Sequence, residues 1–200
     1  IIKHHLYGFS SIKKNFSTGR WLNMASKKIK EQWRKNKIPI VVGGTGLYFK
    51  ALTEGLVKVP EIPSKLRISV RKLHKKKGQK KFYCELIDKD PLVKKFISSN
   101  DTQRSIRAYE VIKFTNRSLF DFTKKTKSKF DSNNFKKIFI NTPRETLHKK
   151  IEERVEQMFK EGVIEEVKNF IELKIDKELS SNKIIGIKEI KDYLKGKITL

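Results

Sequence analysis

The chain has 200 residues, 37% of them hydrophobic, and its 47 Lys and Arg outnumber 22 Asp and Glu for a formal net charge of +25. That length suits one domain, or one domain with a smaller insert, and 13 Phe and 5 Tyr give the core bulk. Cys84 is the only cysteine, so these residues offer no internal disulfide framework and no thiolate zinc cluster, and no apolar run in them has the length of a membrane span or the character of a secretory leader. An inert thiol in a reducing cytosol is the expectation for Cys84.

Taken in chain order, residues 20–34 carry Trp21, Leu22, Ala25, Ile29 and Trp33 at helical spacing. Ile38–Val42 reads as a short buried strand. The glycine loop "GGTG" follows, then a helix over 47–54. Helix, strand, loop and helix in that order is the rhythm of a parallel α/β sheet. The character changes at "VPEIPSKLR". Residues 59–134 hold 20 Lys and Arg against 8 Asp and Glu, with helical patterns near 64–77 and 102–115. We read 59–134 as a helical insert and residues 1–58 with 135–200 as a partial α/β core. "KKIFIN" at 136–141 returns to the sheet. Thr142 then caps a helix with Pro143 in its first turn and Glu145 closing the box. Gly162 kinks or ends that helix, Val163–Ile171 resumes it, and a last helix runs over 183–194 with Gly186 inside.

A surface this positive favours an anionic polymer, either nucleic acid or membrane headgroups. Lysine supplies 38 of the 47 cations, as an A/T-rich coding sequence would also produce. The nine arginines say more, because a planar, bidentate donor is what lysine cannot supply. His4, His5, His74 and His148 have no metal-ligand spacing. The chain begins at Ile1 and ends at "KGKITL", which suggests a fragment of a longer protein.

The loop itself offers bare backbone at Gly43, Gly44 and Gly46 and a hydroxyl at Thr45, where the next helix presents free N–H groups. It can hold a polar or anionic group at a sheet edge, where α/β folds bind ligands. It is neither a Walker A loop nor a G-x-G-x-x-G fingerprint. By itself it also fits a plain strand-to-helix turn.

"IPIVVGGTGLYFKALTEGL" resembles a signature of the tRNA dimethylallyltransferases, or tRNA isopentenyltransferases. So do "HHL" at 4–6, "NDTQRSIRAYEV", "TPRETLHKKIEERVEQMFKEGVIEEV" and "IIGIKEIKDYLKGKIT", in the family's order and along the whole chain. The resemblance implies a P-loop nucleotide-kinase-like parallel sheet, incomplete here, with a helical insertion that grips the tRNA anticodon stem-loop. It implies an ATP-binding-type fold in a cytoplasmic, monomeric enzyme that needs no membrane. The implied reaction moves a dimethylallyl group from dimethylallyl diphosphate to the exocyclic amine of the adenine 3′ to the anticodon. Mg2+ is implied as cofactor, with its ligands, the P-loop and the general-base Asp all outside these residues.

The resemblance also assigns residues. Thr45 would hold the adenine amine for attack, in the loop of Gly43, Gly44 and Gly46. Arg67 would touch tRNA. So would Gln103, Arg104, Ser105, Ile106 and Arg107, behind an N-cap at Asp101. Cations in a helix's first turns oppose its dipole, so an anion nearby is the physical reason to keep them. Lys183, Gly186 and Lys188 match a further tRNA-contact segment, although Ile187 stands where the family usually has Tyr. A surface pair of Arg67 with Glu61, and of Arg107 with Glu110, are the plainer alternatives. The rival functions are a non-catalytic RNA-binding remnant, and an adenylate prenyltransferase or small-molecule kinase.

Overall fold

The structure is a computed structural model that describes residues 2–124, 126–176 and 179–199. Its helices are α1 (Thr18–Arg34), α2 (Gly46–Thr53), α3 (Ser64–Lys89), α4 (Val93–Phe96), α5 (Thr102–Thr115), α6 (Leu119–Thr123), α7 (Arg144–Lys160), α8 (Val163–Glu172) and α9 (Ile187–Leu194). Short 3-10 turns lie at Ser132–Asn134 and Ser180–Lys183. Two compact units form: Ile1–Tyr48 with Asn133–Leu200, and Phe49–Ser132.

In the first unit, Ser17 caps α1 by accepting from the Arg20 N–H at 3.2 Å. Leu22, Ala25, Ser26 and Ile29 then share its buried face, one helical period apart. A smaller cluster of Val167, Ile187 and Ile190 packs α8 against α9, supported by Val163, Ile164 and Phe170.

The expected strands are not formed in this structure. Among the described residues none is assigned to a strand, and residues 38–42 and 136–141 run unpaired. Ile38 is 91% exposed, Ile40 80%, Phe139 89% and Ile140 84%. Such continuous apolar runs suit parallel strands covered on both faces. A strand forms only where a neighbour takes its N–H and C=O groups, and the described residues supply none. Two helix starts also differ. Pro143, extended at φ −51° and ψ 140°, precedes α7 without a side-chain cap, so Thr142 and Glu145 form no capping box. Gly186 is not inside the last helix but immediately before it, at φ 91°, and Lys183 closes a 3-10 turn instead. Cys84 is an exposed free thiol.

The second unit is built on α3 and α5. Val70, Phe82, Tyr83, Leu86, Ala108 and Tyr109 fill the space between them, joined by Val93 and Ile97. α3 breaks at Gly78, which stands at φ 72° and ψ 164°. At the end of α2, Gly55 takes φ 99°, and a Cβ there would lie 2.5 Å from the Lys127 carbonyl oxygen. Only glycine fits that approach. The same return segment is tied down by Ser128, whose hydroxyl donates to the Leu52 carbonyl at 2.9 Å.

Candidate nucleic-acid interface

The glycine loop lies in the first unit and is exposed throughout, Thr45 included. Its exit is fixed. The Tyr48 N–H donates to the Thr45 carbonyl at 3.0 Å as α2 begins. The Tyr48 ring stacks on Trp21 of α1, centroids 4.4 Å apart and planes within 9°. Beside that pair is a shallow cavity of about 410 Å³, lined among others by Leu6, Phe9, Ile12, Trp21, Tyr48 and Ile184. Leu6 ends the "HHL" motif and Ile184 belongs to "IIGIKE", so two motifs far apart in sequence meet here. The Ser181 hydroxyl holds them together by donating to the Ile12 carbonyl at 2.9 Å.

Lys183 and Lys188 both reach solvent on either side of Gly186. The left-handed Gly186 turns the chain into α9, a conformation that a side chain would strain. Ile187, at the position where a stacking ring was at issue, points inward and is 7% exposed in the α8–α9 cluster.

The remaining sequence-predicted residues lie in the second unit. Arg67 is exposed in the first turn of α3 and forms no ion pair with Glu61 among the described residues. Asp101 caps α5, accepting from the Arg104 N–H at 3.0 Å. Gln103 and Arg104 are exposed, and the Arg104 Nε is 3.4 Å from Asp101 Oδ2. Arg107 reaches Glu110 at 3.6 Å while keeping 40% of its side chain exposed. The ion pair weighed against an RNA role is therefore formed, and it leaves most donors of the guanidinium open. Ser105 corrects the sequence reading. It is fully buried, and its hydroxyl donates to the Asp101 carbonyl at 2.7 Å, so it anchors the helix start and presents nothing to a ligand. Ile106 packs against the core beside it.

Sequence reasoning missed the groups that hold this surface. Gln79, just past the α3 break, donates to the Ser99 carbonyl at 2.6 Å and to Ser105 Oγ at 3.3 Å, and its carbonyl meets His74 Nε2 at 2.9 Å. It joins both halves of α3 to the cap of α5. Tyr109 donates to Glu85 at 2.6 Å, and Lys77 Nζ bonds the other carboxylate oxygen. In a lysine-rich sequence nothing marks Gln79 or Glu85, since their partners are distant in the chain.

The Lys77 ammonium, then the Tyr109 hydroxyl, hold the Glu85 carboxyl below the usual carboxylate range. Burial, then the hydrogen bond to Glu85, push the Tyr109 phenol up. A carboxyl depressed on folding stabilises above its unfolded value, and that contribution is lost as pH falls through its folded value. Glu85→Gln is therefore expected to be less stable than the parent at neutral pH and to lose less on acidification. Urea midpoints across that range read the difference. Parallel curves would separate Glu85 from the acid response.

No helix among the described residues is long and apolar enough to cross a membrane. Nor do they gather three or more His, Cys, Asp or Glu side chains that could hold a metal ion.

A family model described as IPP transferase matches residues 1–200. The tRNA dimethylallyltransferase of Pelagibacter ubique is 54% identical over 199 residues, covering 100% of this chain and 64% of that protein. The Rickettsia massiliae tRNA dimethylallyltransferase is 43% identical, covering 100% of this chain and 55% of its own length. Among solved structures, a tRNA isopentenylpyrophosphate transferase from Bacillus halodurans superposes with a TM-score of 0.61 at 29% identity, over 100% of this chain and 61% of that one. A eukaryotic dimethylallyltransferase described as acting on tRNA reaches a TM-score of 0.70 at 23% identity, over 93% of this chain and 48% of that one, which speaks for the fold alone. The chain thus spans less than two thirds of the length of these relatives.

Proposed function

The chain belongs to the IPP transferase family, and from that premise we propose that it forms the acceptor-side and RNA-gripping parts of a tRNA dimethylallyltransferase. The observation that carries the proposal is the match across all 200 residues, which takes in both the glycine loop and the start of α5. The transferred group comes from dimethylallyl diphosphate. The exocyclic amine of the adenine 3′ to the anticodon attacks its allylic carbon, the carbon–oxygen bond breaks, diphosphate leaves and the amine loses a proton. Thr45 orients that amine through its hydroxyl, in a loop whose glycines leave room for a base drawn out of its stack.

The reading gives residues 59–134 the anticodon stem-loop, through Arg67, Gln103, Arg104 and Arg107 on the insert. Lys183, Gly186 and Lys188 serve the same RNA from the first unit. It makes residues 38–42 and 136–141 strands of a P-loop-kinase-like parallel sheet whose other strands lie outside these residues, and the enzyme a cytoplasmic monomer. It leaves the magnesium ion to groups outside these residues, since the described ones gather no cluster of His, Cys, Asp or Glu that could hold a metal.

Arginines that meet phosphate act through counterion release. Replacing Arg104 and Arg107 together with Ala is expected to weaken tRNA binding and to reduce the log–log salt slope by about 2, roughly one per contact. Filter binding across a salt series measures both quantities. An unchanged slope would leave the two arginines to their Asp101 and Glu110 pairs and remove them from the interface.

A further inference from the structure

α4 and α6 carry a feature that none of the family motifs contains. The run "PLVKKFI" buries Val93 and Ile97, which are 0% and 4% exposed, and so turns Phe96 between them outward at 50% exposed. Tyr83 locks that turn from beneath, donating from its buried hydroxyl to the Ile97 carbonyl at 2.6 Å. The Phe96 ring meets Phe120, centroids 4.5 Å apart at 31°. Phe120 is set by Ser118, whose Oγ accepts from the Phe120 N–H at 3.2 Å and donates to the buried Asp90 carboxylate at 2.8 Å. An outward aromatic pair is thus built on two anchored helix ends.

One cation stands beside it. Lys95 Nζ lies 5.6 Å from the Phe96 ring centroid, and no ion pair is formed by Lys95 among the described residues. Of the nearby acids, Asp121 is matched to Lys124 at 3.8 Å and Asp90 is buried under Ser118. A half-exposed ring beside an unneutralised cation fits an unpaired nucleobase with its phosphate. The base stacks on the ring, and the lysine takes the backbone.

We infer that Phe96, backed by Phe120 and flanked by Lys95, is a stacking platform for an unpaired base of the RNA that this chain binds. It rests on the RNA-binding reading above and adds a contact outside the Gln103–Arg107 segment. Phosphate contacts alone hold paired and unpaired RNA alike, whereas a stacking ring favours the unpaired form.

The test compares binding of the 200-residue chain to two RNA probes, an anticodon stem-loop hairpin and a blunt duplex of the same stem sequence. Phe96→Ala is expected to weaken hairpin binding about tenfold and to leave duplex binding unchanged. Phe96→Trp, which keeps a ring at this half-exposed position, is expected to bind the hairpin at least as well as the parent. Equal hairpin affinity for Phe96→Ala and the parent would overturn the platform while leaving the RNA-binding reading intact. An equal loss on both probes would also overturn it, since the effect would then be one of folding and not of stacking on an unpaired base. A parent chain that binds neither probe would overturn both.

Discussion

Thr45→Val is expected to slow prenyl transfer by about 100- to 1,000-fold, the scale of about 3–4 kcal/mol seen when one preorganised hydrogen-bonding group is removed from a reacting centre. The variant is best made in a chimera in which these residues replace the matching part of the Pelagibacter ubique relative, which is 54% identical to them. Valine keeps the shape and the β-branching of threonine and removes only the hydroxyl. The structure explains why folding should be spared. Thr45 is exposed, and the bond that shapes the loop exit comes from its backbone carbonyl, which accepts from Tyr48 N–H at 3.0 Å. The loss should fall on the turnover rate with tRNA affinity nearly unchanged, because an orienting group acts on the attack and adds little to a large RNA contact. Single-turnover transfer with saturating tRNA separates the two. A Thr45→Val rate within a few-fold of the parent would reduce Thr45 to a turn residue.

Ser118→Ala is expected to destabilise the second unit by about 2–3 kcal/mol, more than the usual net value of one hydrogen bond. The Ser118 hydroxyl serves two partners, donating to Asp90 at 2.8 Å and accepting from the Phe120 N–H at 3.2 Å. Asp90 is 3% exposed and Ser118 is 7% exposed, so water does not readily replace what the mutation removes. The carboxylate is then left in a poor solvent with a partner missing, and the first turn of α6 loses its cap. Chemical denaturation of the chain measures the loss. Asp90→Asn with Ser118 kept should cost less, since an amide tolerates that site better than a bare charge. If Ser118→Ala shifted stability by under half a kcal/mol, water would have to be reaching Asp90, contrary to the packing described.

The helices were legible because their causes are local. Leu22, Ala25 and Ile29 recur at helical spacing, and Asp101 stands ahead of α5 as a cap, as its position before "TQR" suggests. What failed was non-local. Ile38–Val42 and residues 136–141 have the composition of buried parallel strands, yet strand formation depends on neighbours that no local pattern supplies. Thr142 and Glu145 have the capping-box spacing, but Pro143 takes the extended conformation and α7 starts one residue later than that pattern requires.

The candidate site divides in the same way. Motif resemblance named Arg104 and Arg107 alongside Ser105, because a contiguous segment carries no record of which side chains face inward. Helical geometry decides it. Ser105 shares the buried face with Ala108 and Tyr109, while Gln103 and Arg104 stay outside. Gln79 was invisible for a different reason. Its partners Ser99 and Ser105 are brought to it only by the packing of α3 against α5. The charge excess was plain, but which cations are open to RNA depends on pairs such as Lys28 and Lys35 around Glu31, at 2.8 and 3.2 Å.

The measurement that bears most directly on the central claim is prenyl transfer by the same chimera with unmodified tRNA and dimethylallyl diphosphate, followed by digestion and mass analysis of the nucleosides. The account predicts dimethylallyl adenosine at the position 3′ to the anticodon, and none when free adenylate replaces tRNA as acceptor. A folded chimera that binds tRNA but transfers nothing, or that prenylates free adenylate in preference to tRNA, would contradict it.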